Sequence, residues 1–247
     1  MIIRVITLSI ALLLSTDTVA GTITLTSPVE RVTVVELYTS HGCSSCPPAD
    51  RWLRGLVDNP ALWSRVIPLS FHVDYWDRLG WPDRFARKAF SQRQQAYQRS
   101  GGIRTVYTPG VVLNGREWRG WYLQPAPEFD YGAPVGRLQL TVEPGSSAAL
   151  SFMPLVEHGQ FSAHIAVLGF GLTSVIGGGE NAGRTLREDF VVLGVSNGAV
   201  SEAMEQMRWR LPWPTTPDVA SSRHAVVAWV SAADSPAPLQ AVGGWLP

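Results

Sequence analysis

Between Val32 and Tyr38 the chain is almost unbroken in apolar, β-branched character, the pattern of a strand covered on both faces. Ala49, Trp52, Leu53, Leu56 and Val57 then recur at helical spacing, and Asp58-Asn59-Pro60 ends that helix. A second apolar run, Val66 to Val73, contains Pro68, which cannot donate to a ladder, so an edge or bulged strand is expected. A helix is predicted from about Asp83 to Arg99, with Ala86, Ala89, Phe90, Arg93 and Tyr97 on one face and Gly101-Gly102 as its stop. Gly110 to Leu113 and Arg116 to Trp118 flank Asn114-Gly115, a strong hairpin signal.

Beyond about Val135 the pattern changes to short alternating runs: Leu138 to Val142, Ala148 to Met153, Phe161 to Phe170, Phe190 to Val195, His224 to Val230 and Leu239 to Val242. Such strands, separated by Gly, Pro and Ser, predict a sandwich-like all-β domain. The division expected is therefore a domain at 21–124, a Pro-rich linker at 125–135 and a β-rich domain at 136–247.

Composition narrows the function classes. A 247-residue chain with 45% hydrophobic and 16% charged residues is a packed globular protein. Twenty basic and twenty acidic residues cancel without forming runs, which argues against nucleic-acid partners and anionic membranes. Arg4, the apolar run Val5 to Leu14 and the triplet Thr18-Val19-Ala20 have the layout of a signal peptide, residues 1–20, cleaved after Ala20. No later run is long enough to insert stably in a membrane, so a periplasmic or secreted protein is expected.

The only cysteines are Cys43 and Cys46. By loop entropy a ring this small stabilises a fold by roughly 2 kcal/mol, against about 4.7 for a hundred-residue ring. Redox chemistry explains the spacing better than stapling. Placed where a strand meets a helix, Cys43 would attack as a thiolate aided by the helix terminus, and Cys46 would resolve the mixed disulfide. His41 either adds positive charge beside Cys43 or is a solvated loop residue. His72 and Asp74 alternate on one strand and would either form a pocket wall or, for His72, fill the core. Gly178 to Thr185 spells G-x-x-x-x-G-R-T, but Arg184 stands where a phosphate loop needs lysine and a strand follows, so a tight loop with an internal Arg184 contact is expected.

The order strand, CxxC, helix, strand, helix, X-Pro, hairpin resembles the thioredoxin-like fold. More narrowly, Val35 to Ser40, Gly42 to Asp50, Phe71 to Asp77, Tyr107-Thr108-Pro109 and Glu180 to Arg184 resemble the DUF1223 family of secreted thioredoxin-like proteins, with His41 a departure from the glutamine expected there. The resemblance implies an α/β, thioredoxin-like N-terminal domain followed by the all-β domain. It also implies a cis Pro109 against the CxxC, with the Thr108 backbone open to an extended substrate. Glu36 would be the buried carboxylate that exchanges a proton with the resolving thiol; the alternative is an edge-facing Glu36 paired with an arginine.

These features point to an exported thiol-disulfide oxidoreductase acting on protein or small-molecule thiols, without a cofactor and with a membrane redox protein as a further partner. Two other classes stay open: a soft-metal (Cu/Zn) carrier using the same cysteines, and a non-catalytic binding module. Residue identity does not fix the direction of electron flow.

Overall fold

The computed structural model describes residues 21–123, 127–155, 159–199, 201–202 and 205–247; the expected signal peptide and residues 125–126 of the expected linker lie outside them. A large mixed sheet organises the molecule. Its first four strands are β2 (Thr33–Thr39), β3 (Val66–His72), β4 (Gly110–Leu113) and β5 (Arg116–Glu117). The others are β8 (Gln160–Phe170), β11 (Val191–Asn197), β12 (Ser201–Glu202), β14 (Arg223–Ala232) and β15 (Pro238–Trp245). The order is β15-β14-β8-β11-β3-β2-β4-β5, with β12 attached to β8. Among the described strands of this sheet, β11–β3 and β3–β2 pair in parallel.

A second, antiparallel sheet runs β1 (Ile23–Thr26), β6 (Gly136–Glu143), β7 (Ser147–Pro154), β13 (Met207–Pro212). In β6, buried Leu138, Leu140 and Val142 alternate with polar residues, so one face packs onto Phe161, Ile165, Val226, Ala228 and Val242 of the large sheet. Two helices, α1 (Pro47–Arg54) and α2 (Lys88–Arg99), adjoin β2 and β3, whose residues are buried almost throughout. A short pair, β9 (Leu172–Val175) and β10 (Thr185–Glu188), completes the strands.

The expectation of a thioredoxin-like α/β domain beside an all-β domain is overturned. Strand makes up 43% of the chain and helix 17%, and the strands belong to large mixed sheets. The physical reason is the seam at β11, where Val191 pairs with Ser70 and Ser70 N–H donates to the Phe190 carbonyl (2.9 Å). Strands far apart in sequence thereby share one ladder. Gln240, fully buried, adds to the weld: its side-chain amide donates to the carbonyls of Pro28, Glu30 and Gly136 at 2.8–3.0 Å, and its Oε1 accepts from Val32 N–H.

Local signals fared better than architecture. Asn114 and Gly115 have φ of 45° and 87°, as a two-residue hairpin turn requires, and Asn114 Oδ1 also accepts from Val34 N–H. Pro68 sits inside the sheet, yet β11 meets β3 only at Ser70, so no neighbour on that side misses a donor. The second helix begins at Lys88 instead of Asp83, because residues 83–87 form turns around the Asp83 side chain. After Trp118 the chain forms one 3-10 turn, Gly120–Tyr122.

Glu36 faces α2. Its carboxylate accepts two hydrogen bonds from Arg93 (2.8 Å each), one from Tyr38 (2.8 Å) and one from Tyr97 (2.5 Å), and Arg93 also donates to the Pro236 carbonyl. Glu36 is thus committed to a buried ion pair between β2 and α2; the arginine partner was expected, but for an edge-facing residue, whereas Glu36 is fully buried. Arg93→Met strands that carboxylate away from water and is expected to cost about 3–5 kcal/mol, read as a lower urea midpoint. The double change Glu36→Gln with Arg93→Met should recover much of the loss.

Candidate functional site

The cysteine loop lies between the end of β2 and α1. Cys43 and Cys46 form a disulfide with Cα atoms 5.4 Å apart, and both residues are fully buried while Ser44 and Ser45 between them are exposed. Cys46 is the N-cap of α1, and Pro47 and Pro48 occupy its first turn, where a missing N–H costs least. The next two N–H groups, of Ala49 and Asp50, both donate to the Cys46 carbonyl. A thiolate here would feel the helix dipole without a backbone donor from those four residues; the nearest polar contact to Cys43 Sγ is Ser45 Oγ, at 3.4 Å.

Beneath the loop lies a cluster of ionisable groups. His41 and His72 are 1% exposed, with ring centroids 5.2 Å apart. Between them stands Asp83: Oδ2 accepts from His72 Nδ1 (2.7 Å) and from the His41 backbone N–H (2.8 Å), while Oδ1 accepts from Phe85 N–H and faces His41 Nδ1 at 3.2 Å. His41 Nε2 is 2.5 Å from Glu188 Oε1, at the end of β10. Burial alone would raise the Asp83 carboxyl, but His72 and His41 hold it well below the usual carboxylate range. Burial would lower His72, yet Asp83, with help from Glu188 and Asp50, carries it up to about 9.

Asp50, four residues after Cys46, joins this cluster. Desolvation of its carboxyl and the Glu188 charge raise it to about 7, against the pull of His72, the Thr39 hydroxyl and His41. His41, His72 and Asp83 each offer a donor atom, and these lie within 4.8 Å of one another, so they are the group among the described residues able to hold a metal ion.

The loop is covered by the turn Gly178 to Arg184. Asn181 is fully buried, and its Nδ2 donates to the carbonyls of His41 (2.8 Å) and Cys43 (2.9 Å). Glu180 accepts from both Ser44 N–H and Ser44 Oγ, and Arg184 donates to Asn181 Oδ1, the internal contact expected of it. Gly179, at φ 70°, gives the turn a conformation that favours glycine. On another side the Thr108–Pro109 bond is cis, and a hollow of about 680 Å³ lies between Pro109, Tyr107, Trp121 and Tyr122 and the loop residues Ser45 and Pro48. Thr108 Oγ1 is held by Trp76 Nε1–H (2.7 Å).

The residues expected to act together are only partly assembled. Cys43, Cys46, His41 and His72 belong to one locality, and Thr108-Pro109 borders it. Asp74 does not join His72: β3 ends at His72, and the Asp74 carboxylate accepts from Ser91 Oγ on α2. Glu36 is engaged with α2, as described. Asp50, Asp83, Glu180, Asn181 and Glu188 received no role from the sequence. Asp50 alone carried a local signal, lying at i+4 from Cys46 on the predicted helix.

No curated protein matches the chain. A crystal structure of an Agrobacterium tumefaciens protein, from a structural genomics consortium, is 25% identical with a TM-score of 0.58, over 87% of this chain and 94% of that one. HBP35 of Porphyromonas gingivalis is 14% identical at the same TM-score of 0.58, over 89% of this chain and 76% of its own, a likeness that bears on the fold alone. The family described as "Protein of unknown function (DUF1223)" matches residues 34–231, the span that holds the cysteine loop, the Asp83 cluster and the Asn181 turn, and the chain belongs to that family.

Proposed function

We propose that this chain is a thiol-disulfide oxidoreductase that acts after export, in the periplasm or outside the cell. The observation that carries this reading is the Cys43–Cys46 disulfide at the start of α1, bordered by an apolar hollow beside cis Pro109. A substrate thiolate attacks Cys43 Sγ, the Cys43–Cys46 bond breaks, and Cys46 leaves with the electron pair and takes a proton. A second substrate thiolate then attacks the mixed disulfide, so the substrate is oxidised by two electrons and the dithiol remains; the reverse sequence reduces a disulfide. The partners are protein or small-molecule thiols, with a membrane redox protein restoring the pair. The soft-metal reading of the cysteines lacks comparable support, since neither sulfur of a disulfide is a thiolate donor.

Both sulfurs are covered in the closed loop, so attack requires the loop to lift from the Asn181 turn. That supports a gating role for the turn rather than for His41, whose ring is committed to carboxylates beneath the loop.

Trapping tests the main reading. Cys46→Ser should capture mixed disulfides with exported proteins through Cys43, and Cys43→Ser should capture none; if neither cysteine of the wild type changes redox state in cells, the reading fails. Asn181→Ala leaves two carbonyls without their donor and is expected to cost roughly 1–3 kcal/mol in urea unfolding. The same change should speed reduction of the disulfide by dithiothreitol, up to about tenfold for each 1.4 kcal/mol by which loop opening is eased. Glu180→Ala should act in the same direction.

A further inference from the structure

The cluster under the cysteine loop contains a buried imidazole nitrogen, His41 Nδ1, that makes no hydrogen bond. His41 Nε2 lies against Glu188 Oε1, so that side of the ring is already engaged with a carboxylate. Its Nδ1 faces Asp83 Oδ1 at 3.2 Å and, although wholly buried, has no hydrogen-bond partner among the described residues. The nearby His72 Nδ1 also points at Asp83, at 2.7 Å. Two imidazoles and two carboxylates packed together out of solvent need positive charge between them, which a ring proton or a bound cation can supply.

We propose that His41, His72 and Asp83 form a buried binding site for a divalent first-row metal ion of the zinc type, through two imidazole nitrogens and a carboxylate oxygen. The outer groups suit this role. Glu188 on the far nitrogen of His41 is the carboxylate–histidine–metal arrangement that fixes tautomer and ring orientation, and Ser174 Oγ donates to its other oxygen. Asp83 is held by the N–H groups of His41 and Phe85. Donor atoms around a tetrahedral zinc at about 2.0–2.1 Å lie roughly 3.3 Å apart; His41 Nδ1 is 3.2 Å from Asp83 Oδ1, and one donor atom from each of the three residues lies within 4.8 Å of the others. With nitrogen and oxygen donors and no thiolate, the site favours zinc, iron, cobalt or nickel over Cu(I).

The ion would tie three segments together: the cysteine loop through His41, the end of β3 through His72, and the turn before α2 through Asp83. The site is separate from the thiol chemistry, because its three ligands include neither sulfur.

Zinc alone and cobalt alone are the probes. Full-length mature protein with its disulfide intact, stripped with a chelator and dialysed against zinc, should retain roughly one ion per chain by mass spectrometry of the metal. His41→Gln and His72→Asn should each lower retention at least tenfold, whereas the Cys43→Ser, Cys46→Ser double variant should retain the ion in full. The cobalt form should show visible d–d bands without thiolate charge transfer, and anomalous diffraction from zinc-loaded crystals should place the ion between the two rings, which keeps the test decisive if a histidine variant fails to fold. Retention below a tenth of an ion by the wild type, retention that survives both histidine changes, or loss in the double cysteine variant overturns the site. None of these outcomes depends on whether mixed disulfides are trapped.

Discussion

A carboxylate removed from water has to find its hydrogens inside the protein, and Asp83 finds them on three separate segments. It takes the backbone N–H of His41 from the loop after β2, the ring of His72 at the end of β3, and the N–H of Phe85 from its own turn. These bonds fix where β2 stops and how the chain turns toward Cys43. They also delay the second helix, because residues 83–87 are wrapped around the side chain and α2 starts only at Lys88. The cysteine loop, the start of α1 and the floor beneath the disulfide all depend on that one buried group.

The C-terminal half completes the same locality. Glu188 comes from β10 and reaches His41, while Asn181 and Glu180, from the turn before that strand, hold the loop from above. This is possible because β11 enters the large sheet beside β3 and carries the preceding hairpin across the open ends of the N-terminal strands. A loop that looks self-contained in sequence is therefore a composite of segments roughly 140 positions apart.

The two buried carboxylates of the N-terminal strands and turns differ in what their neighbours allow. Glu36 meets Arg93, whose charge matches its own in a bidentate pair, and two tyrosine hydroxyls satisfy what is left. Asp83 meets two imidazoles and has Glu188 and Asp50 as near neighbours in charge, so its surroundings respond to protons or cations in a way that the Glu36 pair does not. The likeness to thioredoxin-like proteins made Glu36 a candidate for chemistry beside a thiol. Side-chain direction on β2 decided otherwise, since Glu36 and Tyr38 share the face that packs on α2.

What the sequence determined by itself was local. The strand before the cysteines, the helix after them, the Asn114-Gly115 hairpin and six C-terminal strands were legible because periodicity, turn chemistry and helix stops act over a few residues. The strands β1, β9, β10, β12 and β13 were not singled out, and the overall architecture was misjudged, because pairing of β11 with β3 is a contact between distant strands that no local pattern encodes. The cysteine pair could be found from spacing alone. Its floor of His41, His72, Asp83, Asp50 and Glu188, and its cover of Glu180 and Asn181, exist only once the sheet has closed, since burial of charge is a property of the folded whole and not of any residue in it.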